Sequence, residues 1–318
     1  MRFRNAIHIT IDNFASVFKL LLYTVLTGAV FMSLNYLIVR YGLDGIISGS
    51  PTKAITELIK GLFSALAAGD AEWLQEFHNS FTATFEEFKE LISHSTGAIV
   101  GTMVGVALIY LVSRFVNGLG RIAVAGTMND RMSTFSRTTF AGSYFKNIAK
   151  GALYELAYVP FIFLYDVVMV LLCWFLFFEV PALLSINGWL SLFLSMTLTL
   201  TAVAGLEALK MTLISAWIPG FIADNKKVHH AFRDSFRAKN HFARRYASFL
   251  IGVYLIIAIN VLFALCTLGS ALLITVPLSF VFLLALQFVQ YYEDNQKKYF
   301  ISSRTIMGGD EKPAGLDE

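Results

Sequence analysis

The sequence predicts an all-α integral membrane protein, a polytopic bundle of six transmembrane helices. Of its 318 residues, 56% are hydrophobic and only 15% are charged, whereas about a quarter of the residues in a soluble domain are charged. Six apolar segments approach or exceed the roughly 20 residues that a helix needs to cross the hydrocarbon core of a bilayer. They cover residues 20–39, 97–116, 152–183, 189–222, 249–268 and 271–291.

The N-terminus resembles a secretory signal, because Arg2 and Arg4 precede the first apolar segment. That segment has the length of a full span and is followed by no small-residue cleavage site, so we interpret it as an uncleaved signal anchor. The preceding residues 1–19 are predicted to form a basic helix on the cytoplasmic surface.

The distribution of charge predicts the orientation. The connection 41–96 carries three lysines and eight acidic residues, whereas 118–151 carries five basic residues and a single acid, Asp130. The connection 220–247 is also strongly basic. Because Lys and Arg collect in cytoplasmic loops, both basic connections and both termini are placed in the cytoplasm of a cell-membrane protein. The basic residues then meet anionic lipid headgroups, and nucleic acid is not needed to explain them.

The predicted spans divide the chain into five regions, and three stretches within these regions have similar sequences. Stretches starting at Phe14, Phe145 and Phe242 each lead from a basic segment into an apolar one. This pattern indicates three parallel repeats of a surface helix and two spans, or merely the general likeness of basic helices that precede spans. The regions are 1–19, 20–117 with an outer helical hairpin at 50–93, 118–222, 223–293 and a polar cytoplasmic tail at 294–318.

The outer connection is long enough for two amphipathic helices. Ser50 and Pro51 offer an N-cap and a first-turn proline, and apolar residues then recur at three- and four-residue spacing. A second stripe consists of aromatic residues: Trp73, Phe77, Phe81, Phe85 and Phe88. The two helices either bury these faces on each other or present them to a protein partner.

A basic amphipathic helix is predicted from Lys226, with aromatic residues along one stripe and cations over much of the remainder. Such a helix lies flat at a membrane interface, with its cations at lipid headgroups. A docking site for a cytoplasmic protein would have the same pattern. The cations assigned to the lipid interface are Arg233, Arg237, Lys239, Arg244 and Arg245.

Five polar residues within the spans form a predicted intramembrane track. Asp166 lies about midway along an apolar segment, and Glu155 precedes it by eleven residues, which places both acids on one helix face about 16 Å apart. A carboxylate at this depth must face other helices or a water-filled cavity. The track is either a proton- or cation-responsive pathway or a set of contacts that fixes helix packing. Its members are Glu155, Asp166, Glu207, Lys210 and Asn260, with Arg114 close enough in depth to join an ion-pair cluster.

Glycines at positions 97, 101 and 105 form two overlapping GxxxG motifs on one face of the second span. This spacing predicts close approach of another helix. That helix belongs either to the same chain or to a second protomer.

Motifs for catalysis or cofactor binding are absent from the sequence. His229 and Asp234 have the H-x4-D spacing of some acyltransferases, but no acceptor motif follows. Adjacent His229 and His230 point to different helix faces and make a poor metal site. Cys173 and Cys266 lie in predicted spans, so we expect no disulfide framework. We therefore expect no enzyme activity, cofactor or metal.

Two hypotheses of function follow. In the first, the bundle handles or moves a small molecule or lipid, and the polar track lines its path. In the second, the protein is a non-catalytic scaffold or accessory subunit that binds partners through the outer hairpin and the basic cytoplasmic helices.

Overall fold

The computed structural model describes residues 2–68, 71–180, 189–237, 242–302 and 305–307. These residues are helical almost throughout, which confirms the predicted all-α fold class. Six helices are long and apolar enough to cross a membrane. The predicted number of spans is therefore confirmed.

The helices are α1 Arg2–Asp12, α2 Phe14–Gly42, α3 Asp44–Ile47, α4 Ser50–Ala68, α5 Ala71–His94, α6 Thr96–Thr134, α7 Phe140–Trp174 with a π-helical turn Phe175–Glu179, α8 Trp189–Leu213, α9 Trp217–Ala223, α10 Val228–Arg237, α11 Phe242–Thr267 and α12 Leu272–Asp294. Two short strands follow, β1 Tyr299–Ser302 and β2 Thr305–Met307. Below, α2, α6, α7, α8, α11 and α12 are called spans 1 to 6.

The chain forms two compact units. The main unit consists of Met1–Val25 and Arg114–Glu318, and the hairpin unit consists of Leu26–Ser113. The main unit contains spans 3 to 6 together with both ends of the described chain.

Span 6 supplies the centre of the main unit. Of its most apolar 18-residue stretch, 56% is buried, compared with 6–22% in the other spans. Leu284, Leu286 and Phe288 of span 6 belong to one core with Ile9 of α1 and Phe249 of span 5. The other spans leave many large apolar side chains uncovered by protein, as expected for helices whose solvent is lipid.

The N-terminal helix packs on the rest of the main unit along one face. Ala6 and Ile9 of α1 are buried, and Arg2 forms ion pairs of 2.7 Å with Glu293 and with Asp294 at the end of span 6. α1 is thus held by charge and by apolar packing against the last span.

The chain beyond span 6 begins with ordered structure where a polar tail was predicted. β1 and β2 pair antiparallel, with Tyr299 opposite Met307. Tyr299 is buried, accepts a hydrogen bond of 2.8 Å from Asn5 and donates one of 2.9 Å to Glu293. This hairpin contacts α1 and joins the two ends of the described chain.

In the hairpin unit, α4 and α5 pack against each other as two helices of the predicted outer hairpin. The aromatic stripe is present on α5, where the ring centroids of Phe77 and Phe81 lie 5.4 Å apart and those of Phe81 and Phe85 lie 5.8 Å apart. The side chain of Trp73 lies outside the described part. The ion pair between Lys60 and Glu57 is exposed to solvent.

Span 2 is much longer than its apolar segment, because α6 continues through Thr134. It ends where Phe135 takes a left-handed φ of 54°, and only residues 135–139 separate it from α7. The second of the three suggested repeats therefore has no separate surface helix. The structure does not confirm the repeats.

Candidate functional site

Charged side chains from three neighbouring spans meet in the main unit. Arg114 of span 2 donates a hydrogen bond to Asp166 of span 3, and the two form an ion pair. Each side chain is about two-thirds covered by protein. Burying a carboxylate within a span costs free energy unless a cation or water contacts it. Arg114 of the neighbouring span is that cation for Asp166.

A second ion pair lies on span 4. Lys210 Nζ is 2.6 Å from Glu207 Oε2, one helical turn away, and the lysine side chain is only 9% exposed. Lys210 Nζ also lies 4.4 Å from the centroid of the Tyr165 ring on span 3. Tyr165 is adjacent in sequence to Asp166, so this contact places Lys210 of span 4 beside the part of span 3 that carries the other ion pair. We call Arg114, Asp166, Glu207 and Lys210 the charged cluster.

Glu155 is the most deeply buried member of the predicted track, with 3% exposure. Its carboxyl carbon packs directly on the backbone of span 2, since a Cβ added at Gly118 would lie 2.0 Å from Glu155 Cδ. Arg121 and Arg114 are the cations that act on it electrostatically. Among the residues that the structure describes, no hydrogen bond or ion pair engages its carboxylate.

Sequence reasoning missed Gly118 and Arg121. Together with Arg114 they are spaced i, i+4 and i+7, which is the spacing of one helix face. This pattern was visible in the sequence, but the apolar segment was taken to end at 116. Gly118 leaves space for Glu155, and the two arginines flank it along the helix.

The predicted glycine face behaves differently along its length. A Cβ at Gly105 would lie 3.1 Å from Ile38 Cγ2 of span 1, which is close helix contact. At Gly97 and Gly101 nothing among the described atoms lies within 4 Å of an added Cβ. Of these three glycines, only Gly105 closely approaches another helix among the described residues.

Asn260 is engaged elsewhere. Its Nδ2 donates to Ser279 Oγ at 3.0 Å and to the carbonyl of Ile256 at 2.9 Å. The bond to Ser279 connects span 5 to span 6, whereas the bond to Ile256 lies within span 5. The structure thus brings together Asp166, Glu207 and Lys210 with Arg114, while Asn260 serves a different pair of helices.

The predicted lipid-interface cations have different environments. Arg233 and Arg244 are exposed, as contact with headgroups requires. Arg245 is not: its Nε lies 2.7 Å from Asp294 Oδ2, and each side chain is 8% exposed. The prediction for Arg245 is wrong because span 6 ends in a carboxylate that binds it. The side chain of Arg237 and all of Lys239 lie outside the described part.

The amphipathic helix α10 is anchored to protein. Ser235 Oγ donates to the carbonyl of Leu213 at 2.7 Å and accepts from the amide of Ala216 at 3.2 Å. These contacts satisfy backbone groups freed where span 4 ends. Trp217 Nε1 donates to the carbonyl of Val228 at 3.0 Å. Ser235 and Trp217 therefore hold α10 at the end of span 4, and the ring of Phe232 on α10 packs against the ring of Trp217.

Comparison with protein-family models, with curated proteins and with solved structures finds no match to this chain. Within the described ranges, no group of three His, Cys, Asp or Glu side chains could hold a metal ion. The charged cluster and Glu155 could bind an ion, exchange a proton or fix the spans.

Proposed function

We propose that this integral membrane protein is a transporter-like bundle that moves protons across the membrane. In this proposal the charged cluster and Glu155 line the path, and the path responds to protons. The observation that carries the proposal is the environment of Glu155 on span 3. Its carboxyl group is buried and has no hydrogen-bonding partner among the described residues.

A buried carboxyl group can be protonated or ionised. When protonated it is neutral, and when ionised it needs a cation, because desolvation of an isolated charge is expensive. Arg121 and Arg114 can provide that cation. A proton arriving at Glu155 therefore changes the balance of charge in a small volume between spans 2 and 3.

Arg114 couples the two acids of span 3. It is ion-paired with Asp166 and also acts electrostatically on Glu155, eleven residues earlier. When Glu155 is protonated, Arg114 pairs with Asp166. When Glu155 is ionised, its negative charge attracts Arg114 toward the Glu155 end of the track. Two such arrangements of one cation are what a proton-responsive path requires.

Proton flux into vesicles tests the proposal. The purified protein is reconstituted with a pH-sensitive dye trapped inside, and a potassium gradient with valinomycin drives proton entry. We expect flux above that of protein-free vesicles, lost in Glu155→Gln and in Asp166→Asn. Glu57→Gln is the matched control, since Glu57 is exposed on α4 in the hairpin unit.

Thermal unfolding in detergent shows whether each variant is folded. If folded Glu155→Gln and Asp166→Asn proteins conduct protons at the wild-type rate, the track is a packing device and the proposal fails. It also fails if the wild-type protein conducts no faster than empty vesicles.

The scaffold hypothesis is supported by a separate observation in the hairpin unit. Phe85 is 44% exposed, and Ile59 and Ile92 are also uncovered, so apolar surface remains after α4 and α5 have packed on each other. Cross-linking in native membranes followed by affinity purification tests for a partner. The hypothesis predicts that partners are lost on deletion of residues 50–93, and their persistence would contradict it.

A further inference from the structure

A cavity of about 850 Å³ opens in the main unit between span 3 and α10. Its walls are mainly apolar and include Leu153, Phe161, Trp217, Phe232 and Phe236. A volume of this size is within the range of sites that enclose a small organic ligand. The cavity lies apart from Glu155, although Lys210 contributes to its lining.

The walls are held in place by protein contacts. The Trp217 ring lies 4.5 Å from that of Phe232 and 4.6 Å from that of Tyr154. Trp217 also donates its hydrogen bond to Val228, and Ser235 fixes α10 to the end of span 4. The cavity is thus a built feature between anchored helices.

The charges at the cavity have one sign. Lys150, Lys210 and Lys227 line it, and its described lining includes no Asp or Glu. Lys210 is already paired with Glu207. Lys150 donates a hydrogen bond to the neutral side chain of Asn225, and Lys227 is exposed. Two cations at the rim are therefore available to an anion.

The position of the cavity determines what kind of anion fits. Lys150 stands immediately before the apolar part of span 3, and Leu153 and Phe161 on the same helix are uncovered by protein. The apolar walls are therefore continuous with a surface that faces lipid chains. Basic pockets between spans at the end of the hydrocarbon region suit anionic lipid headgroups.

We propose that the cavity binds one anionic phospholipid of the surrounding bilayer, with an acyl chain against Phe161, Trp217 and Phe232 and the phosphate at Lys150 and Lys227. The ligand combines the two properties that the lining shows, a long apolar part and one negative end. This binding requires only the membrane around the chain and is independent of proton transport.

Lipid titration of the purified protein in detergent, followed by native mass spectrometry, tests the site. The probes are phosphatidylglycerol and phosphatidylcholine with the same acyl chains. We expect the first phosphatidylglycerol to bind about 25-fold more tightly than phosphatidylcholine, and Lys150→Glu/Lys227→Glu to remove that preference, since each of the two cations near the headgroup contributes about fivefold.

Two further variants separate the site from general surface charge and from misfolding. Lys53→Glu/Lys60→Glu changes the net charge equally at exposed positions of the hairpin unit, outside the lining, and should keep the preference. Ala157→Trp fills the apolar part of the cavity while retaining every cation. This variant should abolish the preference for phosphatidylglycerol. Gel filtration and thermal unfolding confirm that each variant is folded.

Three results would overturn the inference. The first is equal affinity of the wild-type protein for the two lipids, which indicates bulk lipid only. The second is an equal loss of the preference in Lys53→Glu/Lys60→Glu, which indicates non-specific charge attraction. The third is displacement of phosphatidylglycerol by an equal concentration of glycerol 3-phosphate, which indicates a site for a soluble phosphate.

Discussion

Arg245 at the start of span 5 and Asp294 at the end of span 6 form a nearly buried ion pair, with Nε 2.7 Å from Oδ2. The other carboxylate oxygen, Oδ1, lies 2.7 Å from a guanidinium nitrogen of Arg2 on α1. One carboxylate therefore joins three helices. Loss of a partner leaves charge buried without compensation, which is much more costly than loss of an exposed pair.

Substitution of Arg245 should destabilise the protein strongly. We expect Arg245→Ala to lower the free energy of unfolding by about 3 kcal/mol, the lower end of the range for a broken buried pair, because Arg2 still meets Asp294. Arg244→Ala, one residue earlier and exposed, should change it by about 0.5 kcal/mol or less. Denaturant titration in detergent micelles measures both. Equal effects of the two variants would show that Arg245 is not buried in an ion pair.

Gly118 should tolerate no side chain. A Cβ there would overlap the carboxyl group of Glu155 at 2.0 Å, so we expect Gly118→Ala to cost about 1–3 kcal/mol through overpacking. Gly101→Ala is the control on the same helix, where the added Cβ meets open space, and it should be neutral or stabilise the helix by up to about 1 kcal/mol. Unfolding midpoints in one detergent compare them. A tolerated Gly118→Ala together with a harmful Gly101→Ala would contradict the structure.

Tyr299 of β1 should make the free energy of unfolding depend on pH in the alkaline range. Burial, and then the neighbouring Glu293, raise the pKa of the Tyr299 hydroxyl above its usual value, which is about 10. The folded state therefore holds this proton more tightly than the unfolded state, and the stabilisation is complete below about pH 10 and is lost as the pH rises further.

Tyr299→Phe isolates this dependence. The variant loses the hydrogen bonds to Asn5 and Glu293, so it should be less stable than the wild type at pH 8. The difference between the two proteins should shrink above about pH 10, where only the wild-type side chain titrates. Unfolding midpoints from pH 8 to 11 give both curves. A constant difference over this range would contradict the raised pKa.

Orientation in the membrane can be tested with single cysteines in a background that lacks Cys173 and Cys266. Positive charge predicts that the hairpin unit's Lys53 faces outward and that Lys146 faces the cytoplasm. A membrane-impermeant maleimide should then label Lys53→Cys in intact cells and Lys146→Cys only after permeabilisation. Both parent lysines are exposed, so accessibility reports the side of the membrane. The reverse pattern would invert the topology.

The sequence by itself determined the properties that depend on neighbouring residues in the chain. Run length and composition predicted six spans, and helical spacing predicted the two amphipathic helices of the outer hairpin. Each of these follows from the rise and period of one helix. No knowledge of which helices are neighbours is needed.

Only the tertiary structure decided what lies opposite each helix face. Depth alone suggested Arg114 for an ion-pair cluster, but not that it pairs with Asp166. The burial of Arg245 depends on Asp294, nearly fifty residues away, and the space for Glu155 depends on Gly118 of another span. The cavity beside α10 likewise requires span 3, span 4 and α10 to meet. A periodic sequence pattern predicts which side of a helix is polar. Which helix contacts that side depends on the packing of all the spans.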